Sequence, residues 1–196
     1  MTPGNLVRAV ASAFEAPESE VAQYDRRLLE AGLRTTGGRG SSAPDVQAAD
    51  VVRLVIATLV RDRHSQTVAT VTDWWNLPLV SGEPSRKQKA MMPPRVLAIA
   101  TANSCTFGAA FTALMDDCIN GDMESLLGSP KAWGPKFGLK IIPQHMRAEI
   151  GFSDGSDAHV DLAFQRGVDS DSQREFLTIH QTSIRPLIGI AQQMRA

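Results

Sequence analysis

Residues 147–165, RAEIGFSDGSDAHVDLAFQ, decide the fold class. Ala148, Ile150 and Phe152 alternate with other residues, as do Val160, Leu162 and Phe164, and the run Ser153-Asp-Gly-Ser-Asp157 separates the two segments. A period of two on both sides of an Asp-Gly turn predicts an antiparallel hairpin. On its C-terminal side, Glu175 to Gln181 is a third candidate strand, and Ser183 is placed to cap a closing helix over Ile184 to Met194. On its N-terminal side the apolar period changes to that of a helix. Val96 to Asn120 reads as one long helix in which Gly108 is an unfavourable residue, and Thr67 to Pro78 reads as a short one carrying Val68, Val71, Trp74 and Trp75.

Between these two lies Ser81 to Pro94, with Gly82, three prolines and Arg86-Lys87-Gln88-Lys89, the composition of a linker. Further back, a helix is expected from Asp45 to about Arg63, its stripe formed by Val51, Val52, Val55, Ile56, Leu59 and Val60. The segment 34–44, RTTGGRGSSAP, is too rich in glycine and polar residues for regular structure. Before it, Asn5 to Ala16 places Leu6, Val7, Val10, Ala13 and Phe14 on one helical face. Pro17 ends that helix, and Glu18 and Glu20 open a second whose stripe is Val21, Tyr24, Leu28 and Leu29. Gly32 stops this second helix, 18–31, so that Leu33 folds back on its end. The resulting expectation is an α+β chain in three parts: a mainly helical, helix-turn-helix-like DNA-binding domain (1–80), a basic flexible linker (81–95) and a small α+β domain for dimerisation or partner binding (96–196).

Charge is balanced in sum, 20 Lys+Arg against 21 Asp+Glu, but not in distribution. Arg26 to Arg39 holds four arginines and one acid, Arg86 to Arg95 holds four bases and no acid, and beyond Arg95 there are 8 bases against 11 acids. Positive potential is thus concentrated in the first half, where a nucleic-acid footprint would have to lie. No stretch approaches the ~18 apolar residues of a membrane span, since Val51 to Val60 is interrupted by Arg53. The first twenty residues carry one base, Arg8, and no apolar run, so no secretory signal is expected. Two cysteines, Cys105 and Cys118, form no disulfide framework and no CxxC pair, consistent with a cytoplasmic, nucleoid-associated protein.

A short helix, a break at Pro17 and a second helix bearing Gln, Tyr and Arg on its exposed side are the parts of a helix-turn-helix reading face. Gln23, Arg26 and Arg27 fall away from the Val21/Leu28 stripe, where arginine can pair with guanine and glutamine with adenine. Arg34, Thr35, Thr36, Arg39, Ser41 and Ser42 are suited to phosphates. The competing reading is a solvated helix with an Arg26–Glu30 pair followed by an ordinary loop. Arg86-Lys87-Gln88-Lys89 fits either a second phosphate contact or a plain linker. Trp74 and Trp75, on a helical apolar pattern, read as core or interface residues rather than base-stacking ones.

Catalytic patterns are missing. His64, His145, His159 and His180 are scattered, and there is no HExxH or GxSxG. Gly37-Gly38-Arg39-Gly40 lacks the Lys-Ser/Thr ending of a nucleotide-binding loop. Asp154, Asp157, Asp161 and His159 cluster at the hairpin turn, but a calcium loop starting there would need Glu where Gln165 stands. Neither an enzyme nor a cofactor or metal is expected.

The string YDRRLLEAGLRTTGGRGSSAP (24–44), followed by DVVRLVIATLV (50–60), resembles the amino-terminal region of small phage-derived regulators of alphaproteobacteria, notably the transcriptional activators of gene transfer agents. The likeness covers residues 1 to 66. It implies promoter DNA binding through Tyr24, Arg26, Arg27, Arg34 and Arg39, activation with integration host factor and engagement of RNA polymerase. The acidic second half would then make a homodimer or contact the polymerase. The alternative from a different class is a phage structural or DNA-packaging adaptor that assembles through protein–protein contacts.

Overall fold

The computed structural model describes residues 1–35, 46–82, 84–89, 92–102, 104–123, 136–153, 159–166 and 180–195. The chain is α+β, with helices in its first part and an antiparallel sheet in its second. Helix α1 (Pro3–Ala13) is started by Thr2, whose hydroxyl accepts the Asn5 amide at 3.4 Å. It ends three residues earlier than its apolar pattern suggests. Glu15 turns into the left-handed region, and the Ala16 amide bonds back to the Ala11 carbonyl at 2.9 Å ahead of Pro17. Helix α2 (Glu18–Glu30) closes the same way, with Gly32 at φ 68° and the Leu33 amide on the Leu28 carbonyl at 2.9 Å.

Helix α3 (Ala48–Val60) is shorter at both ends than the predicted 45–63; Asp45 lies outside the described residues. Buried on almost every side, with Val51, Val52, Leu54, Val55, Ile56, Ala57 and Leu59 all in the core, it is the axis of the helical layer. Each large aliphatic side chain buried here contributes about 1.5–3 kcal/mol. Helices α1, α2, α4 (Thr67–Trp75) and α7 (Phe107–Ile119) pack around it.

The long helix expected over 96–120 is two helices, α6 (Pro94–Ala100) and α7, joined by a turn. The turn has structural work: the Leu79 amide bonds to the Cys105 carbonyl at 3.0 Å and the Phe107 amide to the Leu77 carbonyl at 2.9 Å. Thr106 then caps α7 by accepting the Ala109 amide at 3.3 Å. The stretch expected to be a flexible linker is also largely placed. Strand β1 (Leu79–Ser81) joins the sheet, Pro84 is buried, and a short helix α5 (Arg86–Lys89) follows. From α5, Gln88 Nε2 donates to the His159 carbonyl at 2.6 Å.

The five-stranded sheet has the order β1-β4-β3-β2-β5. The predicted hairpin is β3 (Arg147–Ser153) with β4 (His159–Gln165), in register from Arg147↔Gln165 to Ser153↔His159. Strand β2 (Lys136–Ile142), which the sequence reading does not anticipate, pairs with both β3 and β5 (His180–Ser183). The third strand expected at 175–181 is found only as β5, since 167–179 lie outside the described residues. The closing helix α8 spans Arg185–Arg195, one residue later than expected at each end.

One sheet face carries Leu139, Ile141, Ala148, Ile150, Phe152, Val160, Leu162 and Phe164 into the core. There Phe107 of α7 meets Phe164 with ring centroids 5.6 Å apart, and Leu114, Ile184 and Leu187 close over Ile150 and Phe152. The other face is polar, where Glu149 is paired with Lys140 at 3.3 Å and with Arg147 at 2.8 Å. The core does not divide at 81–95: α3 packs on α7 and α1 on α8, and residues from Leu6 to Ala191 belong to one buried cluster.

Gly108 in α7 lies against the Trp75 indole, and a Cβ there would overlap Trp75 Cδ2. Gly108→Ala should therefore lower stability by about 1–3 kcal/mol through overpacking, despite alanine's better helix propensity. Urea titration of both proteins checks this, and equal midpoints would refute it.

Candidate nucleic-acid interface

Helix α2 sorts its residues cleanly. Val21, Tyr24 and Leu28 face inward, while Gln23, Arg26, Arg27 and Glu30 form an exposed row at i, i+3, i+4 and i+7. The Arg26 side chain is 79% exposed and that of Arg27 53%. Glu30 receives both, Arg26 Nε at 2.8 Å and Arg27 Nη1 at 3.3 Å, and these bonds hold its carboxyl below the usual range. The Gln23 side chain makes no hydrogen bond among the described residues.

Two of the expected DNA contacts have other work. Tyr24 is 2% exposed; its hydroxyl donates to Glu20 Oε1 at 2.8 Å and its ring lies against His64 at 4.9 Å. Burial, reinforced by Glu20, pushes its ionisation upward, so this is a neutral core phenol and not a surface donor. Arg34 has only 9% of its side chain exposed and is bonded to both carboxylate oxygens of Asp25 at 3.1 and 3.2 Å. Burial raises the Asp25 carboxyl above its ordinary value while the Arg34 guanidinium pulls it back, the balance of a half-desolvated ion pair. Arg34 is thus a structural partner of α2. Thr36, Arg39, Ser41 and Ser42 lie outside the described residues.

Thr35 is exposed, and its backbone amide donates to Asp50 Oδ1 at 2.8 Å. The other oxygen of the same carboxylate accepts the Gln47 amide at 2.9 Å. Asp50, at the N3 position of α3 and 2% exposed, therefore holds the chain on both sides of residues 36–45. Nearby, Arg53 Nη1 donates to the Leu33 carbonyl at 2.8 Å, and its guanidinium sits 4.4 Å from the Trp75 ring centroid. The end of α2, the start of α3 and the end of α4 are joined through these two side chains. Sequence reading missed Asp50: its bond to the Gln47 amide is a local helix-start contact, but only the fold brings the Thr35 amide to it.

Among the described residues there is no group of three or more His, Cys, Asp or Glu placed to hold a metal, and no helix is long and apolar enough to cross a membrane. Both cysteines are buried, and burial pushes the Cys105 thiol up to about 11.

Two substitutions check this placement. Asp50→Ala removes a charged acceptor from two amides and should cost about 2–4 kcal/mol in a chemical denaturation curve. Tyr24→Phe keeps the buried ring and should cost about 1 kcal/mol or less in the same measurement, and a loss as large as that of Asp50→Ala would refute its placement as a core phenol. No protein-family model, curated protein or solved structure matches this chain, so the role of the surface has to be argued from its own residues.

Proposed function

We propose that this protein is a sequence-specific, duplex-DNA-binding transcription regulator that reads its site with α2. The observation that carries the reading is the outward row Gln23, Arg26 and Arg27 on a helix whose opposite face is locked into the core. A major groove about 12 Å wide admits one such helix, and these side-chain types match the acceptor pair of guanine and the donor–acceptor pair of adenine. Exposed ion pairs are weak and easily exchanged, so Arg26 and Arg27 can leave Glu30 for base or phosphate oxygens. Glu30 then opposes promiscuous binding, since without a nucleic-acid partner it neutralises part of the arginine charge.

The Gly-Gly-Arg-Gly segment contributes phosphate contacts through Arg39, Ser41 and Ser42 in this reading. Activation of phage-like or gene transfer agent genes, with integration host factor and RNA polymerase as partners, is the biological setting that the sequence resemblance favours.

Binding-site selection from a random duplex pool, followed by anisotropy titrations on the enriched site, tests the proposal. Arg27→Ala should weaken specific binding by about 1–3 kcal/mol, and wild-type affinity should fall steeply with salt. Glu30→Gln should tighten binding to unrelated duplexes. No enrichment from the pool, with a large ring-shaped oligomer on sizing, would reject the regulator in favour of a packaging adaptor.

A further inference from the structure

The turn after α3, Arg61-Asp-Arg-His-Ser-Gln66, plays no part in the reading above, yet the fold sets it beside α2. Tyr24 makes the attachment: its hydroxyl lies 3.5 Å from the Asp62 carbonyl and its ring packs on His64 at 4.9 Å. Gln23 and Arg27 of the exposed row are the neighbours of Tyr24 at i−1 and i+3 on the same helix. Arg61 is close enough for its charge to favour ionisation of the Tyr24 hydroxyl, against the effect of burial.

The acids of this region are engaged elsewhere. Asp62 Oδ2 accepts the Thr70 hydroxyl at 2.6 Å and Oδ1 accepts the Arg63 amide at 2.7 Å, while Glu20 accepts Tyr24. Arg61 and Arg63 are both exposed and form no ion pair among the described residues, and Ser65 and Gln66 beside them are exposed neutral donors. The Thr70 hydroxyl, and to a lesser extent the Arg63 charge, hold the Asp62 carboxyl below its ordinary value. Neither guanidinium is bonded to a carboxylate among the described residues, and two such groups on a turn beside a helix match the strand backbone that borders a groove.

We propose that the turn 61–66 rests on the DNA phosphate backbone beside the groove entered by α2, with Arg61 and Arg63 as sequence-independent phosphate contacts. This rests on the assignment of α2 as the reading helix. It gives the footprint two parts with different duties, base selection on α2 and anchoring on the turn.

The test is anisotropy of a labelled mixed-sequence duplex of about three helical turns, titrated at several salt concentrations between about 50 and 200 mM. Arg61→Gln/Arg63→Gln should weaken binding to every duplex alike and lower the slope of log affinity against log salt by about 0.9 per arginine. Arg61→Lys/Arg63→Lys should restore most of that slope, which a purely structural role would not require. If Arg26→Ala/Arg27→Ala weakens binding but the Gln double variant, folded by circular dichroism, keeps wild-type affinity and slope, the turn is no contact and α2 alone stands. If the wild-type protein binds no duplex at the lowest salt, the assignment of α2 and this inference fall together.

Discussion

A single buried carboxylate organises the helical layer. Asp50 stands at the first turn of the most deeply buried helix, where a negative charge is favoured by the helix dipole and by the unpaired amides of the helix start. It accepts the Gln47 amide locally and the Thr35 amide from fifteen residues earlier in the chain. Because the Leu28 and Leu29 carbonyls are closed by the Gly32 turn, and Arg53 takes the Leu33 carbonyl, the exit of α2 has one place to go. The outward row on α2 is therefore set by contacts made on the hidden side of the molecule.

The joint between helices and sheet depends on aromatic packing. Phe107 is the hub, meeting Trp74, Phe111 and Phe164 with ring centroids between 5.6 and 6.4 Å apart. Trp75 lies against Gly108, and the Arg53 guanidinium sits over its ring. This explains why a glycine sits in the first turn of a helix: it is the one residue that leaves room for the indole. It also explains why 96–120 breaks in two, since Phe107 reaches Phe164 while residues 105–107 hydrogen-bond to 77–79.

Much of this was legible in the chain because it follows from local periodicity. The β3–β4 hairpin, the ends of α2 and the stripe of α3 are set by short-range patterns and by turn residues such as Gly32. Strand β2 was not, although Leu139 and Ile141 alternate. Gly138 at its centre and Pro143 at its end weaken the local signal, and the strand is held by two neighbours that periodicity cannot supply. At the candidate interface, Tyr24 was expected both in the Val21/Leu28 stripe and on the exposed reading side of its helix, and the stripe spacing is what the structure follows. Arg34 was unreadable because nothing local reveals that Asp25 lies one helix-end away. The exposure of Gln23, Arg26 and Arg27 follows from the same inward stripe, read from its opposite side.

The first helix of the chain packs against the last, α1 on α8, while α3 rests on α7. The core beneath α2 and the residues that line the sheet thus share one continuous interior among the described residues. A shared core of this kind favours unfolding as one unit, and to that extent a ligand that settles on either part stabilises both. In such a molecule the polar face of the sheet and the arginine row of α2 are linked thermodynamically without any moving part between them.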